Sequence, residues 1–398
     1  MKVVYILIFV LLILIIIYLL AHINIKIETM VDVPYDSNLR WTAACDDAVK
    51  GTIGDVLRDY SFTKDTDKWK LYFPCDYSLS DDEFKKLPPK SDARYFIIDN
   101  ADEMASKNWL WKNLVAKYGL EKASVMTPIT YALDNENDIK RFEHDYSSNK
   151  VYILKKNIQR QEGLLITRDK QVILNGRTNG YVVVQELLQD PFIISGRKTN
   201  MRFYVLVICN KTDFDVYVYN NGFMYYTKDP FVLNSTEIAP NITTGYIDRQ
   251  VYKENPLTHD DLKTYLDNPE RQLSIEELRI RNDGQLISDI YFNRIYKLLR
   301  DSFISFIGKV GKQAKDNNIY FQLFGVDVAV NNKLIPKIIE INKGPDLGAK
   351  DERDSQLKHA LTIDIFKKIG GLPENNNGFI KIIDFSYGGV NKLYQYEV

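Results

Sequence analysis

The chain has 398 residues, 45% apolar and 26% charged, an ordinary globular mix that excludes a mainly disordered or collagen-like protein. At about 100–200 residues per domain, this length predicts two or three lobes. Fifty-two Lys and Arg against 53 Asp and Glu leave a formal charge of −1, so the basic surplus of a general nucleic-acid binder is missing and no nucleic-acid partner is expected. Cys45, Cys75 and Cys209 are odd in number and lack C-x-x-C spacing, which predicts neither a disulfide framework nor a cysteine zinc site.

In chain order, residues 3–21 form an uninterrupted apolar run. As a helix it would span roughly 28 Å, close to the hydrocarbon thickness of a bilayer. No A-x-A cleavage pattern follows, so the run predicts an uncleaved single-span transmembrane helix with the membrane as a partner. Residues 22–40 read as a polar stalk and 41–125 as an N-terminal lobe, with a helix from Asn108 that ends near Gly119. A central lobe is expected over 126–200 and a C-terminal lobe over 201–371, followed by a tail over 372–398. Val151–Leu154, Tyr181–Gln185, Met201–Ile208, Asp215–Tyr219 and Phe223–Tyr226 are strand-like runs, and Asn220-Asn221-Gly222 between the last two predicts a hairpin. Helical spacing returns over 288–314. A strand pair follows at 321–330 and 334–341, then a helix near 354–369. The expected class is α+β, with mostly antiparallel sheets.

Common nucleotide and zinc-protease motifs are missing, and the four histidines are scattered. The C-terminal hairpin carries the strongest chemistry. Glu340 and Asn342 share a strand face, and the short turn folds Asp327 back beside them. These are hard oxygen ligands in an otherwise apolar strand, suited to Mg²⁺ that carries nucleotide phosphates. Lys155 closes a strand-like run, where its point charge could meet a phosphate. Arg197, Lys198 and Arg202 pack three cations into six residues before a hydrophobic strand, a pattern that fits a clamp for phosphate or carboxylate oxygens.

These clusters, in this order, resemble the tubulin–tyrosine ligase family, which includes protein polyglutamylases and polyglycylases and belongs to the ATP-grasp group. The resemblance runs from about Lys107 to Ile369. It is carried by V-V-V-Q-E-L-L-Q-D-P-F-I-I-S-G-R-K-T-N-M-R-F-Y-V-L-V, by F-Q-L-F-G-V-D-V-A-V and by I-I-E-I-N-K-G-P-D-L. It implies an ATP-grasp-like fold with ATP and Mg²⁺ (or Mn²⁺) as cofactors. Asp327, Glu340 and Asn342 match the metal ligands, Lys155 a phosphate lysine, and Lys107 a second phosphate-side lysine. Gln185 to Leu188 match the adenine hinge, with backbone groups near Glu186 and Leu188. Lys198 and Arg202 match the pair that lines the phosphate and acceptor side.

Departures fall on the substrate side. Asn200 replaces an expected aspartate, Met224-Tyr225-Tyr226 follow Gly222 where an arginine is usual, and Asn241-Ile242-Thr243-Thr244 replaces H-L-T-N. Lys228 is a candidate to restore the missing charge. The resemblance implies a ligase that joins an amino acid, glutamate favoured, to a protein carboxylate through an acyl phosphate, with a tubulin-like acceptor. The alternatives are a membrane-tethered ATP-binding module that no longer ligates, and a ligase for small peptides. Weak flanking charges favour an outward body, but ATP chemistry favours a cytosol-facing one, so the expected localisation is a single-pass membrane protein with its catalytic body in the cytosol.

Overall fold

The computed structural model describes residues 33–387 apart from 78, 79, 159–162, 246, 283 and 316. β-Branched and aromatic runs become strands throughout. In chain order they are β1 (Trp41–Ala43), β2 (Leu71–Phe73), β3 (Arg94–Tyr95), β4 (Thr130–Ala132), β5 (Tyr152–Lys155), β6 (Leu164–Thr167), β7 (Val183–Glu186), β8 (Ile193–Ile194), β9 (Arg197–Cys209), β10 (Asp213–Tyr219), β11 (Phe223–Thr227), β12 (Thr243–Thr244), β13 (Ile319–Val330), β14 (Pro336–Asn342) and β15 (Phe379–Ser386). The helices include α1 (Thr52–Asp59), α2 (Lys107–Met126), α3 (Ile287–Ile304) and α4 (Glu352–Lys368).

Two sheets result. The larger runs β1-β2-β3-β13-β9-β10-β15, with β14 on β13 and with β8 and β11 on β9. Its first three strands are parallel to one another and to β13, and the rest pair antiparallel. The smaller sheet, β4-β7-β5-β6, is antiparallel. The aligned segments of β9 and β13 are almost wholly buried, which explains why both read as near-continuous apolar stretches rather than alternating ones. Stacked rings, Tyr95 on Tyr320 at 5.1 Å and Phe96 on Phe321 at 4.7 Å, bind the parallel strands to β13.

Several expectations change. The Asn220–Gly222 turn is not a hairpin, because β10 and β11 do not pair with each other. β10 pairs with residues 205–209 of β9, and β11 with residues 199–202, so the chain steps along one long partner strand. Packing explains the glycine. A Cβ at Gly222 would lie 2.2 Å from the Arg202 carbonyl oxygen and 2.5 Å from the His259 ring. One expectation stands: α2 is two helical segments joined across Gly119, whose φ 77° and ψ 168° are non-helical, so the first segment ends there as expected. Part of the expected tail is β15, paired along β10.

The cysteine reading is also corrected. Cys45 and Cys75 form a disulfide across 30 residues, and Cys209 is free and buried. Sequence spacing alone could not bring these two together, because their approach depends on β1 and β2 lying side by side. The expectation of a transmembrane helix and a single-pass membrane protein is corrected as well. Among the described residues no helix is long and apolar enough to cross a membrane, and the run 3–21 that prompted it lies outside the described residues.

Candidate functional site

A cleft of about 770 Å³ draws on both sheets. The small sheet contributes Ile153 and Lys155 from β5, Leu164 from β6, and Gln185 and Glu186 from β7. The large sheet contributes Lys198 and Asn200 from β9, Asp327 from β13, and Ile339 and Glu340 from β14. Lys107 at the start of α2, Leu188 after β7, and Asn241 to Thr243 also line it, with Pro128, Ile158 and Leu187. Eight of the ten residues expected from sequence therefore line one cavity. The other two stand directly behind it.

Those two are Arg202 and Asn342. Arg202 Nε donates to Asp327 Oδ1 at 2.5 Å, and its Nη2 donates to Oδ2 at 3.0 Å. The strand register explains the fit, since Asp327 lies opposite Arg202 on β9 and opposite Glu340 on β14. Asn342 Nδ2 donates to Glu340 Oε1 at 3.2 Å. Lys107 Nζ is 3.8 Å from Glu340 Oε2.

The charges are strongly coupled. Burial pushes the Asp327 carboxyl up to about 6, although Arg202 pulls the other way. Burial also acts on Glu340, but Lys107 and Lys155 outweigh it and hold that carboxyl below its usual range. Lys155 is pushed down to about 8 by burial first, with Lys107 adding to the shift and Glu340 and Asp327 opposing it. Lys198 falls to about 8 through burial and then the charge of Lys155. Two buried lysines that hold protons this weakly are poised for an anion that would share their charge.

The end of the cleft around Gln185 is built differently. Gln185 Nε2 donates to Thr130 Oγ1 at 2.8 Å, and the Thr130 hydroxyl donates to the Pro128 carbonyl at 2.6 Å. That chain fixes the amide orientation and leaves Gln185 Oε1 buried without a partner. Asn241 Nδ2 donates to the carbonyls of Ser235 and Glu237, each at 2.9 Å, which leaves its Oδ1 in the same condition. Asn200 Oδ1 is a third such acceptor. Buried unpaired acceptors are costly, and a ligand with amine and hydroxyl donors would satisfy them. The Glu186 carboxylate is held by Lys150 at 2.6 Å, and the Leu188 carbonyl accepts from Lys198 Nζ at 3.4 Å.

Among the described residues no group of three His, Cys, Asp or Glu side chains could hold a metal ion. The expected set is two carboxylates and an amide. That set fits Mg²⁺, which is commonly held by one or two carboxylates together with substrate phosphates.

Sequence reading missed the apolar walls. Ile153 was available from strand alternation, two positions from Lys155. It also missed Thr130, which acts only through Gln185. Lys228, the candidate replacement charge, is exposed and does not line the cleft. The Tyr225 ring lies 5.3 Å from the Arg202 guanidinium.

The Tubulin-tyrosine ligase family matches residues 90–377, and the chain belongs to that family. A tubulin polyglutamylase of Mus musculus, TTLL6, is 25% identical over 319 residues, covering 75% of this chain and 36% of that protein. A Tetrahymena thermophila protein named as a probable beta-tubulin polyglutamylase is 23% identical over 324 residues, covering 75% and 26%. A Mus musculus protein named as a probable tubulin polyglutamylase, TTLL9, is 24% identical over 394 residues, covering 82% and 81%. The match therefore spans about a third of the mouse TTLL6 protein and most of TTLL9.

Proposed function

We propose that this chain is an ATP- and Mg²⁺-dependent ligase that joins an amino acid, glutamate in preference, to a carboxylate of a protein acceptor. The observation that carries this reading is the convergence of Lys107, Lys155 and Lys198 with Asp327 and Glu340 in one cleft. A carboxylate is a poor electrophile. Transfer of the γ-phosphoryl group of ATP makes it an acyl phosphate, ADP leaves, and the amine of the incoming amino acid then displaces phosphate to form the amide. Lys155 and Lys198 would hold the phosphate oxygens, where a buried cation acts more strongly than in water. Lys107 would hold the same oxygens from the α2 side. Asp327, Glu340 and Asn342 would hold Mg²⁺ or Mn²⁺, which supplies charge neutralisation at the transferring phosphoryl group. Gln185, with the Glu186 and Leu188 backbone, would take the adenine. No covalent enzyme nucleophile is required.

The names of the relatives support tubulin as the acceptor. Glutamate is favoured because Asn200 is neutral where the resemblance expects an acid, which leaves the field of Lys198 less compensated on that face, Arg202 being paired with Asp327. The test is ADP release from the protein with tubulin and labelled glutamate, glycine or tyrosine in competition, read by mass shift on the acceptor. Release that requires both acceptor and glutamate is expected. A product with tyrosine or glycine only would overturn the choice of amino acid. ATP binding without any product would overturn the ligase.

A further inference from the structure

One row of side chains crosses the small sheet. Register places Thr130 of β4 opposite Gln185 of β7, Gln185 opposite Ile153 of β5, and Ile153 opposite Ile166 of β6. Side chains directly opposite in paired strands share a face, so Gln185 sits between a hydroxyl and a hydrocarbon. Gln185 and Ile153 line the cleft, whereas Thr130 stands behind it. Ile153 offers an amide no partner. Of the two cross-strand neighbours, Thr130 alone can hold the Gln185 side chain.

The chemistry of this relay fixes which way round the amide sits. A carbonyl oxygen only accepts. The Thr130 hydroxyl therefore gives its one proton to the Pro128 carbonyl, 2.6 Å away, and has only lone pairs left. The Gln185 atom 2.8 Å from Thr130 Oγ1 is then the amide nitrogen, which donates. The opposite orientation would set oxygen against oxygen. Thr130 is 1% exposed and Gln185 7%, so that mismatch would carry the cost of an unsatisfied buried group. The amide end not taken by Thr130 is Oε1, which is buried and has no partner among the described residues. Purines differ in what they set against such an oxygen. The 6-position of adenine carries an amine, which donates, and a 6-oxopurine carries a carbonyl there, which only accepts.

We propose that Thr130 is the positioning residue for nucleobase choice: by holding the Gln185 amide nitrogen it leaves only Oε1 for the ligand, and so selects a 6-aminopurine over a 6-oxopurine. The proposal deepens the reading of this cleft as an ATP site and rests on that reading for the identity of the ligand. Thr130 acts through Gln185 and contributes no surface to the cleft.

The experiment is calorimetric titration of the whole protein, with Mg²⁺ present, by ADP and by inosine diphosphate, whose base carries the 6-oxo group. The unsubstituted protein should prefer ADP by about a hundredfold. Thr130→Val keeps the shape and removes the relay. The Pro128 carbonyl still has the Thr127 hydroxyl at 3.1 Å, so the substitution frees the Gln185 amide without orphaning that carbonyl. The preference should fall to about tenfold or less, because the amide can then turn its nitrogen towards the 6-oxo group. Thr130→Ala, which crowds the site less, should behave in the same way. Thr130→Ser restores the hydroxyl and should keep the preference within about twofold of the original. Lost packing weakens both diphosphates alike and leaves their ratio in place, so the ratio reports the amide rather than the fold. A preference for ADP below about threefold in the unsubstituted protein, or an unchanged ratio in Thr130→Val and Thr130→Ala, overturns the role of Thr130. Binding of neither diphosphate to the unsubstituted protein overturns the ATP reading itself, so the two failures look different.

Discussion

Arg202 on β9 holds both carboxylate oxygens of Asp327 on β13, with each side chain about 90% buried. This pair places a carboxylate in the cleft with Lys155 and Lys198 while cancelling part of its charge. Such a pair contributes geometry more reliably than stability.

Breaking that pair from one side should be costly. Arg202→Met leaves Asp327 buried and unpaired, and such a loss costs about 3–5 kcal/mol. Arg202→Met combined with Asp327→Leu removes both charges and should recover much of that loss. Urea unfolding of the single and double variants gives the coupling directly. A double variant no more stable than Arg202→Met would show that the pair is not the relevant unit.

Glu340→Gln keeps size and hydrogen bonding but removes a charge that faces Lys107 and Lys155. ATP turnover should fall by about a hundredfold or more while the fold persists. Turnover and circular dichroism on the same sample check this. Unchanged turnover would remove the β14 carboxylate from the proposed metal site.

Much of this site was legible because strand alternation and a short turn are local rules. They place Glu340 and Asn342 together and bring Asp327 back beside them. Lys155 and Lys198 could be named as cations ending or preceding strands, but their mutual repulsion depends on two sheets meeting. The Asn220–Gly222 signal failed for a related reason. A turn motif specifies a bend, whereas pairing depends on which strand lies alongside, and β9 is long enough to accept both neighbours. The disulfide was illegible because spacing carries no information on the approach of β1 to β2.

The lysines predict a pH dependence. Lys198 has a pKa of about 8 in the folded protein against an ordinary 10.5, owing to burial and then to Lys155. The unfolded chain therefore binds this proton more tightly. The resulting destabilisation is complete below about pH 8 and fades as pH rises towards the unfolded value. Lys198→Met should thus raise the melting temperature at about pH 7, and the gain should shrink at about pH 9. Affinity for an ATP analogue should move the opposite way in the unsubstituted protein, falling as pH rises past about 8 because the phosphates lose a cation. Melting curves and analogue titrations at both pH values check the two signs. Affinity that rises with pH would exclude Lys198 as a phosphate contact.

The Cys45–Cys75 bond closes a loop of 30 residues that contains α1. α1 packs on α4, where Thr52 Oγ1 and Thr362 Oγ1 share a hydrogen bond at 2.9 Å. A tyrosine two residues after Cys75 meets the chain just beyond Asn342, since a Cβ at Gly344 would lie 3.2 Å from Tyr77. The disulfide therefore ties down the segments that flank the loop after β14. By loop length alone, such a bond restricts the unfolded chain by about 3–4 kcal/mol. Cys45→Ser with Cys75→Ser should lower the unfolding free energy by up to that amount. Treatment of the unsubstituted protein with a dithiol should give the same loss, as two electrons and two protons convert the bond to two thiols. The double variant should no longer respond to the dithiol. Buried Cys209, whose thiol is pushed up by burial, should stay unreactive in both until unfolding. Calorimetry with and without the dithiol, on both proteins, measures the difference. Equal stability in all four samples would mean that the α1–α4 contact holds this segment without the bond.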